Sequence, residues 1–345
     1  MAGSGFERIC MTSDADNKVK RVLVTGATGF VGQHLLPRLV EQGYLVRTLI
    51  RPSRKDRQSS IRHLEQIEGD LLDSDSLKKA CKGVDFVIHL AGQAHVNEKD
   101  GGHEINLEGT RLLLDSAIES NVSRLLLMSS SLALEAEKTG RARFSYGLSK
   151  LAAEKLLMSE HRAGNIEGIV LRPVNIYGPG MQGNIAKLMT LIERGLAPPL
   201  PTLGTKISLV GIKDLCEAVI LALRSEEAIG GTYLVTDGQQ YSINRIEEEI
   251  YRVANKKMRS WRPPRLILFV LIQIAVKSNN FLRLFGMEIS LLTGLSVRSY
   301  ENLTRDNLFE NTKLTEDLGF KPRHTFYESL PEIYKGIKSA CIESS

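Results

Sequence analysis

Cysteine is scarce in this sequence and is not arranged as a metal site. The four cysteines, Cys10, Cys81, Cys216 and Cys341, are far apart, form no C-x-x-C pair and have no cluster of histidines beside them. Zinc sites need closely spaced thiolate and imidazole ligands. The sequence therefore predicts no bound metal, and the thiols are expected to stay reduced in a cytoplasmic protein.

Long hydrophobic runs are also absent. The longest, Leu266 to Val276, is too short to span a bilayer. Residues 1–19 lack the apolar segment of a secretory signal and are expected to form a mobile tail. Basic residues flank the longest run, and Pro263-Pro264 precede it. This pattern favours a helix over 262–277 that covers a substrate pocket or the core, with a weak contact at a membrane surface as the alternative.

A strong excess of one charge is the third absence. The 345 residues hold 45 Lys and Arg against 40 Asp and Glu, and the basic residues are scattered along the chain. The mild net charge of +5 fits a site for anionic small molecules and argues against a nucleic-acid surface. A composition of 42% hydrophobic and 25% charged residues is that of an ordinary globular protein, with one large domain or two closely joined ones.

A glycine-rich stretch organises the rest of the sequence. The apolar run that begins at Val22 leads into three glycines at G-x-x-G-x-x-G spacing, and a helical pattern follows. Gly26 permits a sharp turn, Gly29 leaves room for a pyrophosphate, and Gly32 lets the helix pack closely on the strand. The N-terminus of that helix would face the phosphates. The residues predicted to bind a dinucleotide here are Gly26, Thr28, Gly29, Phe30, Val31 and Gly32.

The end of the second strand bears on which dinucleotide is bound. In NAD-binding folds an acidic side chain there accepts hydrogen bonds from the adenosine ribose. In this sequence the strand runs from Tyr44 to Ile50, the expected position falls on Ile50, and Arg51 follows, so no carboxylate is present there. A guanidinium suits the 2′-phosphate of NADP, so NADP is preferred over NAD. The alternative is that Arg51 and Arg54 only lie in a solvated loop.

Two further strand ends are predicted to complete the cofactor site. Gly69-Asp70-Leu71 follows a short strand and is placed to hold the adenine, and the small residues after His89 leave space for the cofactor. His89 itself is expected to be a buried structural residue, because nothing near it in the sequence completes a catalytic triad. The residues assigned to the cofactor in this part are Asp70, Leu71, Leu90, Ala91 and Gly92.

A serine cluster and a tyrosine–lysine pair carry the predicted chemistry. Ser129-Ser130-Ser131 follows a strand, and Tyr146 and Lys150 lie one helical turn apart on one face of a later helix. A phenol ionises near pH 10, so it needs a nearby cation to act as a base at neutral pH. Lys150 and the positive charge of an oxidised nicotinamide can supply it. A serine hydroxyl would hold the substrate oxygen next to the phenol.

In this order, these motifs resemble the extended short-chain dehydrogenase/reductase superfamily, the epimerase and dehydratase type. The resemblance runs from about residue 20 to about residue 240 and continues in a closing motif at Leu314 to Pro322. It implies an α/β fold, a Rossmann-type doubly wound parallel sheet with a smaller C-terminal substrate lobe. The matching stretches are Gly26 to Gly32, Gly69 to Leu71, His89 to Gly92, Asn106 to Thr110, Ser129 to Ser131, Tyr146 with Lys150, and Leu171 to Gly180.

The resemblance also implies roles for individual residues. Ser131, with Ser130 as the alternate, would hold the substrate oxygen, Tyr146 would be the acid/base and Lys150 its helper; Tyr146 and Lys150 would also contact the cofactor. Asn175 would lie near a nucleotide-sugar diphosphate. The chain departs from many relatives where an Arg and a His flank the Ser208-Leu209-Val210 stretch, since it has Ile207 and Gly211 there. Lys206 or Arg265 is expected to replace the missing cation, and Lys206 is the one assigned to the substrate.

The expected organisation follows the same family. Residues 20–177 form the NAD(P)-binding domain, and 206–236 return to it. Residues 178–205 and 237–345 form the substrate lobe. The resemblance implies a homodimer through the helices that bear Leu112 and Leu151.

The leading functional hypothesis is an NAD(P)-dependent oxidoreductase that transfers hydride at C4 of a UDP-linked hexose. A 4-ketoreductase is preferred, because Arg51 favours NADP. A UDP-hexose 4-epimerase would use the same Ser, Tyr and Lys. Two hypotheses of a different kind are a hydroxysteroid-type dehydrogenase at a membrane surface and a non-enzymatic scaffold that senses the cofactor.

Overall fold

The computed structural model describes residues 19–52, 64–92, 102–139, 145–267, 270, 273–274 and 304–343. The predicted tail, apart from Val19, and Arg54 lie outside the described residues. The predicted helix over 262–277 is described only at 262–267, 270 and 273–274. Within the described residues no helix is both long and apolar enough to cross a membrane.

Strands and helices alternate along most of the described chain. The strands are β1 (Arg21–Thr25), β2 (Leu45–Ile50), β3 (Leu64–Glu68), β4 (Phe86–His89), β5 (Arg124–Met128), β6 (Glu167–Pro173), β7 (Asn175–Tyr177), β8 (Lys206–Ile207), β9 (Leu209–Gly211), β10 (Thr232–Val235) and β11 (Tyr241–Ser242). The helices are α1 (Phe30–Glu41), α2 (Ser74–Cys81), α3 (Gly102–Glu119), α4 (Ser131–Thr139), α5 (Ser145–Arg162), α6 (Asn184–Glu193), α7 (Ile212–Arg224), α8 (Ile243–Val253), α9 (Thr312–Leu318) and α10 (Phe326–Glu343).

The main sheet has seven parallel strands in the order β10-β6-β5-β4-β1-β2-β3. The chain starts in the middle with β1, moves outward to β3, and then returns to the other side of β1 with β4. Ligand sites of open parallel sheets lie at the carboxyl ends of the strands, where the strand order reverses. The reversal between β1 and β4 therefore marks the expected site, and the predicted doubly wound parallel sheet is confirmed.

Helices cover both faces of this sheet, which explains why its central strands are apolar on both sides. Val22 and Val24 of β1 belong to a buried cluster formed with α1 and α7. Leu23 points the other way, into a second cluster formed with α2, α3 and α5. The two-residue alternation of a strand thus divides one apolar run between two cores.

A third buried cluster lies apart from these two. It is built by α6, α8 and α10 and includes Tyr177, Tyr241 and Phe326, whose rings pack edge to face. Two small sheets adjoin it, β7 paired in parallel with β9 and β8 paired antiparallel with β11. The residue limits of the two lobes stay a prediction.

Candidate active site

The glycine turn between β1 and α1 has the geometry that its sequence predicts. Gly26 has φ +74°, in the region that favours glycine, and a Cβ there would lie 2.6 Å from the backbone N of Ala91. A Cβ at Gly32 would lie 2.5 Å from the carbonyl O of Ala27, so this glycine lets α1 sit against the turn. Gly29 differs from both. It is exposed, and a Cβ there would approach only the carbonyl O of Gly26, at 3.2 Å.

The turn fits a pyrophosphate on these observations. Gly29 is the N-cap of α1, no side chain caps the helix there, and no acidic residue lies in its first turn. The first backbone N–H groups and the positive end of the helix dipole therefore face the open side of Gly29. Gln33 crosses the turn, since its side-chain amide donates to the carbonyl O of Thr28 at 3.1 Å.

The start of α1 also contacts the segment after β7. Phe30 packs beside Gly178, where a Cβ would lie 3.6 Å from the Phe30 ring. His34 forms a hydrogen bond of 3.0 Å with the carbonyl O of Pro179. Val31 is partly buried against the main core. Of the predicted residues in this helix, Phe30 therefore packs against both the main core and the cluster that contains Tyr177, while Val31 packs against the main core alone.

A chain of close contacts leads from the glycine turn to the tyrosine–lysine pair. The backbone of Leu90 donates to the carbonyl O of Thr25 at 3.1 Å, which holds the end of β4 beside the turn. Ala91 touches Gly26, as described above, and the next residue, Gly92, faces Lys150. A Cβ at Gly92 would lie 2.9 Å from Lys150 Nζ. The fold therefore brings Leu90, Ala91 and Gly92 between the turn and the lysine.

Lys150 is buried and held in place by the end of β5. Its ammonium donates to the carbonyl O of Met128 at 2.9 Å and lies 5.9 Å from the centre of the Tyr146 ring. Burial lowers the pKa of Lys150 to about 8, although the Glu154 carboxylate acts in the opposite direction. Burial also raises the pKa of Tyr146 to about 12. Near neutral pH the pair is thus a protonated phenol beside an ammonium group.

The three serines at and just before the start of α4 differ in their hydrogen bonds and in their position. The Ser129 hydroxyl donates a hydrogen bond to the Glu154 carboxylate, whereas the Ser130 hydroxyl accepts one from the backbone N of Leu132 at 3.2 Å. Ser131 is buried at the first position of α4. Helix α5 meets α4 beside it, because a Cβ at Gly147 would lie 2.7 Å from the carbonyl O of Leu132. Ser131 and Tyr146 are each one residue away from that contact.

Two residues of this region were not predicted from the sequence. Glu154 is buried on α5, one turn after Lys150, and it forms a two-pronged hydrogen-bonded ion pair with the buried Arg172 of β6. Arg172 also pairs with Glu137 of α4 at 2.8 Å. The i, i+4 spacing of Lys150 and Glu154 was the available signal, and the Arg172 partner could not be read from it.

His89 has the structural role that the sequence analysis expects. It lies at the end of β4 with both ring nitrogens bonded, Nδ1 to the hydroxyl of Thr25 at 2.6 Å and Nε2 to that of Thr110 at 3.0 Å. Burial, followed by the nearby Lys150 charge, lowers the pKa of His89 to about 3. The neutral imidazole therefore ties β1 and β4 to α3 below the site.

The structure places the predicted adenine-side residues at the same sheet edge. Asp70 shapes the turn after β3, where its carboxylate accepts from the backbone N of Leu72 at 2.9 Å. Leu71 packs against Gly109 of α3, because a Cβ built at Gly109 would lie 3.1 Å from the Cβ of Leu71. Arg51 directly follows β2 and is exposed. Because β2 adjoins β1 in the sheet, Arg51 lies at the edge that carries Gly26.

Asn175 and Lys206 are not brought to the tyrosine–lysine pair in the same way. Asn175 is exposed in β7, and Lys206 is exposed in β8, so they lie in two different small sheets. The Lys206 ammonium donates to the side-chain carbonyl of Gln240 at 3.4 Å, and its backbone N donates to Asp306 at 2.7 Å. Their roles at a diphosphate stay predictions.

No group of three His, Cys, Asp or Glu side chains in the described part of the chain could hold a metal ion. The groups that the fold brings to this region are the phenol, the ammonium, the serine hydroxyls and the backbone N–H groups of the turn. The turn itself fits a dinucleotide. Together, these groups suit acid–base chemistry next to such a cofactor.

This strand order, with a glycine turn at its reversal point and a Tyr–Lys pair on α5, defines the extended short-chain dehydrogenase/reductase class. The chain belongs to the NAD dependent epimerase/dehydratase family, whose model matches residues 22–236. The predicted resemblance is confirmed, and so is the prediction of an NAD(P)-dependent enzyme of this class.

Similar proteins cover nearly the whole chain. It is 28% identical to the UDP-glucose 4-epimerase of Vibrio cholerae over 91% of this chain and 94% of that protein. It is 26% identical to the 3 beta-hydroxysteroid dehydrogenase/Delta 5→4-isomerase of Mycobacterium tuberculosis, over 90% of this chain and 89% of that one. The solved Thermus thermophilus UDP-glucose 4-epimerase in complex with NAD has the same fold, with a TM-score of 0.70 at 22% identity over 93% of this chain and 99% of that one.

Proposed function

We propose that this protein is an NADP-dependent reductase that acts on the 4-keto group of a UDP-linked hexose. The observation that carries the proposal is the pairing of a protonated Tyr146 with the buried ammonium of Lys150 beside the glycine turn. Reduction of a ketone needs a proton donor at the carbonyl oxygen. The Tyr146 phenol, which burial keeps protonated, is the group that we assign to this donation.

The residues divide the work of the reaction. A bound nicotinamide cofactor supplies the hydride that C4 accepts. Ser131 donates a hydrogen bond to the ketone oxygen and positions it next to Tyr146. The Tyr146 hydroxyl gives its proton to that oxygen, and Lys150 stabilises the phenolate that remains. The Met128 carbonyl keeps the ammonium at this position through the reaction.

The substrate assignment rests on likeness and on two exposed polar residues. The curated relative from Vibrio cholerae is a UDP-glucose 4-epimerase and spans the same length. Asn175 and Lys206 are proposed to contact the diphosphate from the side of the second lobe. Arg51 at the end of β2 supports NADP, because a guanidinium there pairs with a 2′-phosphate where NAD-specific relatives of the fold carry a carboxylate.

The direct test combines a cofactor with a panel of sugars. The purified protein is incubated with NADPH or NADH and a UDP-4-keto-hexose, and cofactor oxidation is followed together with the sugar product. Tyr146→Phe removes the proton donor and is expected to lower kcat/KM by roughly 10²–10⁴-fold. Tyr44→Phe is the matched control, since Tyr44 comes just before the amino end of β2, whereas the site lies at the carboxyl ends of the strands. Equal activity of the Tyr146 and Tyr44 variants would show that Tyr146 is not the proton donor.

The same assay separates this function from its competitors. Interconversion of UDP-hexoses with no net change of cofactor would make the protein a 4-epimerase, because an epimerase uses the same three residues. The relative from Mycobacterium tuberculosis favours steroid oxidation as a second candidate. Turnover of a 3β-hydroxysteroid with NAD, without activity on any UDP-sugar, would support that function instead.

A further inference from the structure

Large apolar side chains are exposed together on the segment that precedes and begins the predicted 262–277 helix. Trp261 is 61% exposed, Leu266 70%, Ile267 41%, Val270 45% and Ile274 55%. We call these five side chains the 261–274 surface. The sequence favours a segment that covers a pocket or the core, and in the structure these five side chains are exposed to solvent. A cluster of this kind marks an interaction site.

The helical residues of this surface follow one stripe. Residues 265–267, 270 and 273–274 are helical. Leu266, Val270 and Ile274 are four residues apart, a spacing that places them along one side of an α-helix. Trp261 comes just before Pro263-Pro264, at the entry to the helix. The surface therefore combines an apolar stripe with an aromatic residue at one end.

The charges in the segment that carries this surface are all of one sign. Residues 252–267 include six Lys and Arg and no Asp or Glu. Lys257, Arg259 and Arg265 are exposed, and they take part in none of the ion pairs found between described residues. The Arg265 guanidinium only donates to the carbonyl O of Thr202, at 3.3 Å. The rim of the surface is thus a set of cations whose charge no described carboxylate neutralises.

The base of the surface is fixed to the body of the protein. Arg262 pairs with the buried Glu247 of α8 at 2.7 Å and donates to the carbonyl O of Leu200 at 3.2 Å. Pro263 is buried, and the carbonyl O of Pro264 accepts the first hydrogen bond of the helix from Ile267. The apolar side chains are therefore presented at a defined place on the molecule.

We propose that the 261–274 surface docks on a bilayer of anionic phospholipids. The apolar stripe would enter the boundary between headgroups and acyl chains, while Lys257, Arg259 and Arg265 would pair with lipid phosphates. Tryptophan prefers this boundary, because its ring is apolar and its N–H is polar. Charge decides against a second copy of the chain as the occupant, since the same cationic rim would face itself.

The chain carries its own probe for this contact. Trp261 is its single tryptophan, so tryptophan emission, excited where tyrosine does not absorb, reports on this surface alone. The full chain is mixed with vesicles of phosphatidylcholine and phosphatidylglycerol, or with vesicles of phosphatidylcholine alone. We expect the emission to move to shorter wavelengths and the protein to sediment with the anionic vesicles only. Salt should weaken both effects, because it screens the attraction.

Two variants test the two parts of the surface separately. Leu266→Ser with Ile267→Ser should weaken binding to anionic vesicles about tenfold or more through lost apolar burial. Lys257→Glu with Arg259→Glu should weaken it at least about tenfold, because each cation near an anionic surface contributes a factor of roughly five. Leu45→Ser changes a 39% exposed leucine at the start of β2 and should leave binding unchanged.

Two results would overturn the proposal. One is the absence of any fluorescence shift and any sedimentation with anionic vesicles for the unaltered chain. The other is a shift that grows with protein concentration in the absence of vesicles and disappears in the Leu266→Ser, Ile267→Ser variant, since a second protein molecule would then cover the surface. A loss of binding in a variant counts only when its thermal unfolding matches that of the unaltered chain.

Discussion

A buried carboxylate, that of Glu154, favours the charged form of Lys150 in the tyrosine–lysine pair. Lys150 lies in a water-poor environment that disfavours its charge, and Glu154 is the anion that acts against this loss. Glu154 in turn is held by Ser129 and Arg172, so its position depends on β5 and β6 as well as on its own helix. We assign Glu154 as a positioning residue that acts through Lys150.

We expect Glu154→Gln to shift the pH dependence of the reaction. Without the carboxylate the pKa of Lys150 should fall below about 8. Because the proposed reduction needs the ammonium form, activity should decline as the pH rises through this pKa, and the alkaline limb should move to lower pH. The measurement is kcat/KM for the 4-keto sugar from pH 6 to pH 10 at saturating cofactor.

Glu137→Gln is the matched control for that experiment. Glu137 also pairs with Arg172 but is half exposed, so its loss should leave the alkaline limb in place and cost less than about 1 kcal/mol of unfolding free energy. Glu154→Gln should cost about 3–5 kcal/mol, since it breaks a buried pair. An alkaline limb that stays in place in folded Glu154→Gln would show that this carboxylate does not act on Lys150.

At the scale of single elements, the β1–α1 turn contains glycines packed against backbone atoms and one exposed glycine, Gly29, that is predicted to leave room for the pyrophosphate. Gly32 sits against the backbone of Gly26 and Ala27, whereas Gly29 opens to the surface. Gly29 has φ −79°, which any residue can adopt. The same glycine-to-alanine change should therefore have different effects three residues apart.

We expect Gly29→Ala to fold normally and to bind NADPH at least about tenfold more weakly, a loss of about 1.4 kcal/mol. The added methyl would stand where the pyrophosphate approaches. Gly32→Ala should instead lower the unfolding free energy by about 1–3 kcal/mol, because its Cβ would meet backbone atoms. Fluorescence titration with NADPH and thermal unfolding measure the two effects. Unchanged NADPH affinity in Gly29→Ala would show that the pyrophosphate lies elsewhere.

At the scale of the whole molecule, the outer sides of α3 and α5 bear on the predicted homodimer. The two helices pack on each other and contain Leu112 and Leu151. Among the side chains described in these helices, the large apolar ones that are exposed are Leu107, at 37%, and Leu148, at 44%. Two neighbouring helices with such residues are suited to pack against the α3 and α5 helices of a second chain.

We expect light scattering to give twice the 38.3 kDa mass of one chain. Leu107→Glu with Leu148→Glu would bury unpaired charges in the proposed interface and should return the mass to that of one chain. Leu45→Glu, at an equally exposed leucine on β2, should leave the dimer intact. A dimer that survives the double change would place the interface on another face.

Much of the cofactor half could be predicted from local sequence. The glycine turn, the apolar strands and the Tyr146–Lys150 spacing are short patterns whose physical meaning does not depend on the rest of the chain. The sequence also led to the expectation that His89 is structural, and its two hydroxyl partners agree. The Arg172 partner of Glu154 was missed, because it lies 18 residues further along, on another element.

The sequence by itself determined the class of this protein, since a strand, a glycine turn and a helix are built from contacts between neighbours in the chain. Tertiary structure decided which distant residues meet: Ala91 with Gly26, and Gly92 with Lys150. It also decided how far an apolar segment is exposed. Leu266 has the same side chain whether it lies in a core or in water, and only the tertiary structure leaves it 70% exposed.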